Sequence, residues 1–417
     1  MTVIFRLVPL LTAAGILLAG NGLLGTLISL RAAEEGFNTT VIGIMGTAYF
    51  AGFLLACIRA PHLIKAVGHI RVFAAFAAVT AASALVLILV LDPIVWIVIR
   101  FAAGFSFSAL FMVIESWINE QAGNADRVRV MSVYRIVDLL AVTGSQFLIP
   151  IYGVDGFETF AIAAIIFCFS VVPVALSNRS RPTAPAAFKF DLPQIWRISP
   201  LACMGCVSIG MTNGAFRMIG PLYGRELGLD TAGVAAFMSA GILGGAVLQF
   251  PLGMLSDRVD RRLAVLLATA GGVAAGLFLS GTDVSQEWLL LGGSFAFGAC
   301  VMPLYSLSAA VANDRAENDQ YVLVAAGLTF FYSIGAMIGP VVSSLVIETY
   351  SASAFFLYTS VVHVALIAIT LSRMLARPTV PRESRSRFVG LLRTSPVIFR
   401  LARKSNKKSA ESAKTPN

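Results

Sequence analysis

The sequence predicts an all-α polytopic membrane protein, with twelve transmembrane helices arranged as two pseudo-symmetric six-helix lobes. Three observations carry this. Hydrophobic residues make up 57% of the 417-residue chain and charged residues only 13%, well below the quarter charged of an ordinary soluble domain. Apolar stretches of the roughly 20 residues that cross a bilayer recur along the chain. Finally, sliding the sequence by 192 positions sets Asn21-Gly22 on Asn213-Gly214, Leu30 on Leu222, Glu34 on Glu226, Gly36 on Gly228, Thr39 on Thr231, Ala48 on Ala240 and Gly52 on Gly244, with no gap. Such duplication is the signature of two-lobed transporters that bind where the halves meet.

The spans are read at 7–30, 40–62, 70–91, 94–116, 129–152 and 157–177, then 200–223, 232–254, 263–282, 287–311, 321–347 and 354–376. Span 1 follows Arg6 and has the look of a signal peptide, but its match to the internal copy makes it a permanent helix. No ten-residue alternating pattern suggests a barrel, and backbone groups in lipid must bond internally, so each span is expected to be helical. Residues 1–177 and 200–376 form the two expected lobes. Residues 178–199, with Pro182, Pro185 and Pro193, form the linker between them, and 377–417 form a basic tail.

Lysine and arginine set the expected orientation. Arg59, Lys65, Arg71, Arg179, Arg181, Lys189, Arg197, Arg258, Arg261, Arg262 and Arg315 fall on one side, whereas the other holds Arg31 and Arg225 among Glu34, Glu35, Asp92, Asp155, Asp283 and Glu348. The positive side is cytoplasmic, which puts both termini inside a bacterial inner membrane. The net charge of +9 resides in the tail, which carries eleven of the 31 Lys/Arg and two of the 22 Asp/Glu, leaving twenty of each sign elsewhere. The tail reads as a solvated segment that reinforces orientation. Its interspersed Phe388, Leu391, Ile398 and Leu401 also suit contact with anionic lipid. A basic tail tethered to a membrane is no argument for nucleic-acid binding.

Several chemistries find no support. Cys203-x-x-Cys206 lies within span 7 without a paired motif, and the five cysteines read as small buried side chains. His62, His69 and His363 are too scattered for a metal centre. No phosphate-cradling loop is present, no nucleophile–base constellation suggests an enzyme, and no cofactor is implied.

Three patterns then carry a resemblance. Gly253-Met-Leu-Ser-Asp257-Arg258-Val-Asp-Arg261-Arg262, between spans 8 and 9, is similar to the loop signature of the major facilitator superfamily. Arg100-x-x-x-Gly104 in span 4 is similar to a signature of its proton-coupled members, and Gly335-x-x-x-Gly339-Pro340 in span 11 to a Gly-Pro signature best known from exporters. Glu115-Ser116-Trp117-Ile118-Asn119 is similar to a little-characterised bacterial branch. The resemblance covers residues 7–376 and implies alternating access by two rocking lobes. It also implies that Gly253, Asp257, Arg258, Arg261 and Arg262 form a cytoplasmic latch, with Gly253 permitting a close approach and Asp257 facing a helix N-terminus or an arginine. The first-half counterparts depart: Pro61 replaces the glycine and Lys65 the aspartate.

Ionisable groups inside a membrane are functional candidates by default. Asn21, Arg100, Asn213 and Arg217 lie on spans 1, 4 and 7, which line the cavity in the resembled fold. Asn213 and Arg217 share a helix face, and forked guanidinium donors suit an oxyanion. Arg135 and Asp138 can pair on span 5, and with Glu115 they are candidates for a gate or for proton coupling, a structural ion pair being the alternative. Tyr49, Tyr305, Tyr332 and Phe330 fall where aromatics could face an organic substrate. The reading is a monomeric permease for a small organic solute, an anion being the candidate class, with protons as a candidate coupling ion. A proton-coupled drug or metabolite exporter is the alternative. A non-transporting sensor or scaffold is the alternative from another class.

Overall fold

Gly36 and Gly228, 192 residues apart, close their helices in the same way. Each has a positive φ, 76° and 98°, a conformation that costs glycine little. Two residues on, Asn38 accepts from the N–H of Val41 at 2.9 Å and Asp230 from that of Gly233 at 2.7 Å, each capping the next helix by about 1 kcal/mol. The duplicated polar turn is thus a duplicated helix stop, turn and start.

The computed structural model describes residues 2–121, 127–176, 191–317, 320–376, 378–381, 385 and 388. The helices are α1 (Thr2–Glu34), α2 (Thr39–Val67), α3 (His69–Leu89), α4 (Pro93–Gln121), α5 (Arg127–Gln146), α6 (Leu148–Tyr152), α7 (Glu158–Ala175), α8 (Leu192–Ile198), α9 (Pro200–Glu226), α10 (Thr231–Arg258), α11 (Arg261–Ser280), α12 (Glu287–Val301), α13 (Leu304–Asn313), α14 (Tyr321–Thr349) and α15 (Ala354–Ala376). Among the described residues eleven spans have the length and apolarity to cross a membrane, two of them made of consecutive helices (α5 with α6, α12 with α13), and the pair α8 and α9, bent by 107°, makes twelve. Linker residues 178–190 and tail residues 389–417 lie outside the described residues.

Two spans are broken where one continuous helix was expected. Span 5 divides into α5 and α6 at Phe147, because Pro150 has no N–H to continue the ladder. Span 10 divides into α12 and α13 at Met302-Pro303 for the same reason. Met302 at this second break faces the cavity described below.

Close packing repeats between halves. A side chain on Gly52 would meet the backbone of Phe101 and one on Gly104 that of Tyr49, fixing α2 against α4; Gly244 meets Phe295 and Gly298 meets Gly241, fixing α10 against α12. Between helices in lipid, small residues that let backbones approach replace the hydrophobic effect as the source of packing.

The two halves meet most firmly at the end carrying Glu34. There Arg225 Nη2 pairs with Glu34 at 2.7 Å and Arg225 Nη1 donates to the Leu30 carbonyl at 3.2 Å. The Thr40 N–H and hydroxyl donate to Glu348, and Thr47 donates to the Met337 carbonyl at 2.5 Å. Gly43 and Gly46 lie directly against Ser344 and Pro340 of α14. Toward the opposite end, which carries Arg261, Arg135 of α5 lies 5.6 Å from the centre of the Phe250 ring on α10.

Candidate functional site

Between the halves lies a cavity of about 180 Å³, with a smaller annex of about 60 Å³ sharing its wall. The two repeat asparagines both line the main chamber, each tied to a tyrosine. Asn21 Oδ1 accepts from the Tyr49 hydroxyl at 3.3 Å, and Asn213 Nδ2 donates to the Tyr332 hydroxyl at 2.8 Å. The second arrangement leaves Asn213 Oδ1 buried without a hydrogen-bond partner.

Tyr49 and Tyr332 come from α2 and α14, which pack against each other across the halves. The Tyr332 ring meets Tyr305 edge-on at 5.8 Å. Tyr49, Tyr305 and Tyr332 line the chamber together with Phe50, Phe53 and Phe111, beside aliphatic, amide and charged side chains. Phe330 is not among the lining residues.

Arg217, one turn beyond Asn213 on α9, lines both the chamber and the annex. Among the described residues no carboxylate pairs with it. Gly25, its counterpart under the repeat, also lines the annex and has nothing within 4 Å of where a side chain would begin. Arg100 reaches the annex from α4. It is 6% exposed, its guanidinium carbon lies 4.3 Å from the centre of the Tyr49 ring, and its Nε has no hydrogen-bond partner. Among the described residues, the annex wall carries these two guanidinium groups and no acidic residue.

The acids are placed differently. Asp138 and Arg135 both line the main chamber. Glu115, on α4 and 3% exposed, is not among the lining residues. Of the expected trio, the two α5 residues line the cavity and Glu115 does not.

The loop signature is engaged within the second half and its tail. Arg261 bridges Asp257 at 3.2 Å and Asp314 at 2.5 Å; Arg262 forks onto Asp260 at 2.8–3.2 Å and donates to the Arg373 carbonyl at 3.2 Å; Arg258 is exposed. Asp260 is partly buried, which raises its pKa, but the hydrogen bonds and charge of Arg262, aided by Arg385, outweigh burial and hold it below the ordinary value of 3.8. Gly253 does give room for a close neighbour, and that neighbour is Phe388.

Sequence reasoning missed Gln249, which lines the chamber and donates to Ser306 at 2.9 Å. A polar residue inside the apolar run of span 8 was its signal. It also missed Gln146, which accepts from Thr26 at 2.6 Å and donates to the Gly22 carbonyl at 2.9 Å, fixing α1 to α5 beside the annex.

Comparison with known proteins gives one consistent answer. The family model for the Major Facilitator Superfamily matches residues 10–245 and 201–407. An uncharacterized MFS-type transporter of Enterobacter sp. (strain 638) is 25% identical over 377 residues, 89% of this chain and 97% of the relative. The uncharacterized MFS-type transporter YcaD of Escherichia fergusonii is 24% identical over 368 residues, 86% of this chain and 93% of the relative. Among solved structures, the nucleoside transporter NupG superposes with a TM-score of 0.73 at 14% identity, over 88% of this chain and 98% of that one. A bacterial homolog of the human lysosomal transporter Spinster, in an inward-facing and unoccupied conformation, gives 0.68 at 11% identity, over 100% and 99%. At these identities the structures speak for the fold alone.

Proposed function

The chain belongs to the Major Facilitator Superfamily and is a multi-pass membrane transporter, and from that premise we propose that it moves a small organic anion across the bacterial inner membrane by alternating access. One observation carries the charge assignment. Arg217 projects into a cavity at the meeting of the halves, with no carboxylate partner among the described residues. An uncompensated guanidinium in a partly desolvated cavity favours an anionic ligand and fixes its orientation through paired donors. Arg100 adds a second positive charge to the annex. The six aromatic side chains in the chamber wall suit a ring-bearing body.

Residues 1–177 and 200–376 serve as the rocking lobes, joined by 178–199, with both termini and the 377–417 tail in the cytoplasm. In that orientation the Glu34 end is periplasmic, and its cross-half contacts hold the outer side shut. The solute shifts the balance of inward and outward states through its different affinity for each. Asp138, beside Arg135 on the cavity wall, is the group that would exchange a coupling proton.

Reconstitution tests this reading. Purified protein in proteoliposomes should exchange labelled aromatic carboxylates or sulfonates across the membrane. Binding without flux under any imposed gradient would instead identify a sensor.

A further inference from the structure

The last transmembrane helix ends at Ala376, and the basic residues beyond it read from sequence as solvated. Two residues of that tail are docked. Arg385 donates through Nη1 to the Val259 carbonyl at 2.5 Å and through Nε to the Val380 carbonyl at 2.9 Å. The N–H of Phe388 donates to both oxygens of Asp257, at 2.9 and 3.1 Å. The Phe388 ring fills the notch at Gly253, where any side chain would overlap it. The glycine and the aspartate of the loop signature, the two residues that a rule of positive charge leaves unexplained, thus both hold one segment of the chain's own C-terminus.

The place of docking matters. Residues 250, 253 and 257 lie on one stripe of α10, since positions three and four apart share a helix face. Phe250 heads that stripe, and it is the residue over which Arg135 of α5 lies. Phe388 therefore covers the continuation of the surface by which α10 meets the other half. Near the Glu34 end these two helices are already close, with the Ser239 hydroxyl donating to the Thr143 carbonyl at 3.5 Å. For the Arg261 end to close, α5 must approach α10 along the stripe that Phe388 occupies.

We propose that Arg385 and Phe388 act together as a removable wedge. Docked, they hold the Arg261 end of the cavity open; undocked, they free Gly253 and Asp257 for the facing half. The tail is then a built-in regulator of the rate at which the carrier turns over. Its mostly backbone contacts, and an aspartate that a competing cation can claim, make the docking reversible. The inference rests on alternating access but not on the identity of the solute.

Distances between the halves provide the test, without a substrate. In full-length protein freed of its five cysteines, nitroxide labels at the exposed positions Ile136 and Met254 report the Arg261 end, and labels at Leu91 and Trp288 report the Glu34 end. In lipid nanodiscs, Phe388→Ala should raise the population with a closed Arg261 end at least about threefold. Arg385→Ala, which removes the other anchor of the docked residues, should do the same, and the double variant should add little to either. Distance distributions unchanged from wild type in both variants would overturn the wedge. A chain whose two ends never move, with or without the tail contact, would overturn alternating access and the wedge with it. The two failures are distinguished by the Leu91–Trp288 pair.

Discussion

Gly25 of α1 and Arg217 of α9 stand at equivalent places in the two halves and line the same annex. Where the first half omits a side chain, the second extends a guanidinium. The pseudo-symmetry supplies the frame, and its interruption makes the room and the charge. Because a side chain at Gly25 meets nothing within 4 Å, Gly25→Leu should fill the annex without disturbing the helix. Anion affinity is expected to fall at least about tenfold, or 1.4 kcal/mol, while the melting temperature without ligand stays close to wild type. Titration of both proteins with aromatic carboxylates checks this; equal affinities would remove the annex from the proposed site.

Arg100 is held by the face of Tyr49, and the Tyr49 hydroxyl by Asn21. The two contacts separate by substitution. Tyr49→Phe keeps the face and loses only the hydrogen bond, so transport should fall modestly. Tyr49→Leu also removes the cation–π contact, worth about 0.5–2 kcal/mol, and should cost several-fold more. Arg100→Lys keeps the charge but not the planar stack, and should resemble Tyr49→Leu. Transport rates of the three variants, normalised to folded protein, decide; a Tyr49→Phe loss as large as that of Tyr49→Leu would contradict the stacking account.

The Arg225–Glu34 pair is 35% and 42% exposed, so solvent screens it to about 0.2–1 kcal/mol. Glu34→Gln should therefore shift the balance toward states open at that end by only about 1.4- to 5-fold, and raising salt should do the same to wild type and nothing further to the variant. Accessibility of a single cysteine at the Glu34 end to a thiol reagent, read against ionic strength, reports it. A salt dependence retained in Glu34→Gln would assign the effect elsewhere.

Asp260 lies in the loop between α10 and α11 with its pKa held below 3.8 by Arg262 and Arg385. A carboxylate whose folded pKa is depressed contributes stability that is fully present above its unfolded value and lost as pH falls through the folded one. The Arg262–Asp260 link should thus be insensitive to pH from neutrality down to about 4, by this linkage, and weaken below. Asp260→Asn should abolish that acid limb and loosen the loop at neutral pH. Amide hydrogen exchange over residues 259–264 across this range measures it; protection in Asp260→Asn equal to wild type would show that the link does not order the loop.

How much could be read in advance follows from which forces act locally. The helix ends at Gly36 and Gly228, the caps at Asn38 and Asp230 and the duplicated spans are written in short stretches of sequence, so fold and repeat were legible. Asn21, Asn213 and Arg217 were legible as cavity residues because an amide or a cation in an apolar run has few other reasons to be there. What was not legible depends on pairings between distant segments. Nothing near Gly253 announces that its neighbour is Phe388. The breaks at Phe147 and Met302 were visible in Pro150 and Pro303, but hydropathy, which averages over the span, passes across them.

Arg217 is the residue proposed to recognise the anion. The most direct test of that role is the binding of a panel of aromatic carboxylates and sulfonates, by calorimetry or by ligand-induced thermal shift, to wild type and to Arg217→Gln of equal melting temperature without ligand. The expected result is an anion that stabilises the wild-type protein and binds the variant at least about tenfold more weakly, with neutral analogues of the same ring showing little difference between the two. An anion that binds Arg217→Gln as tightly as wild type would contradict it.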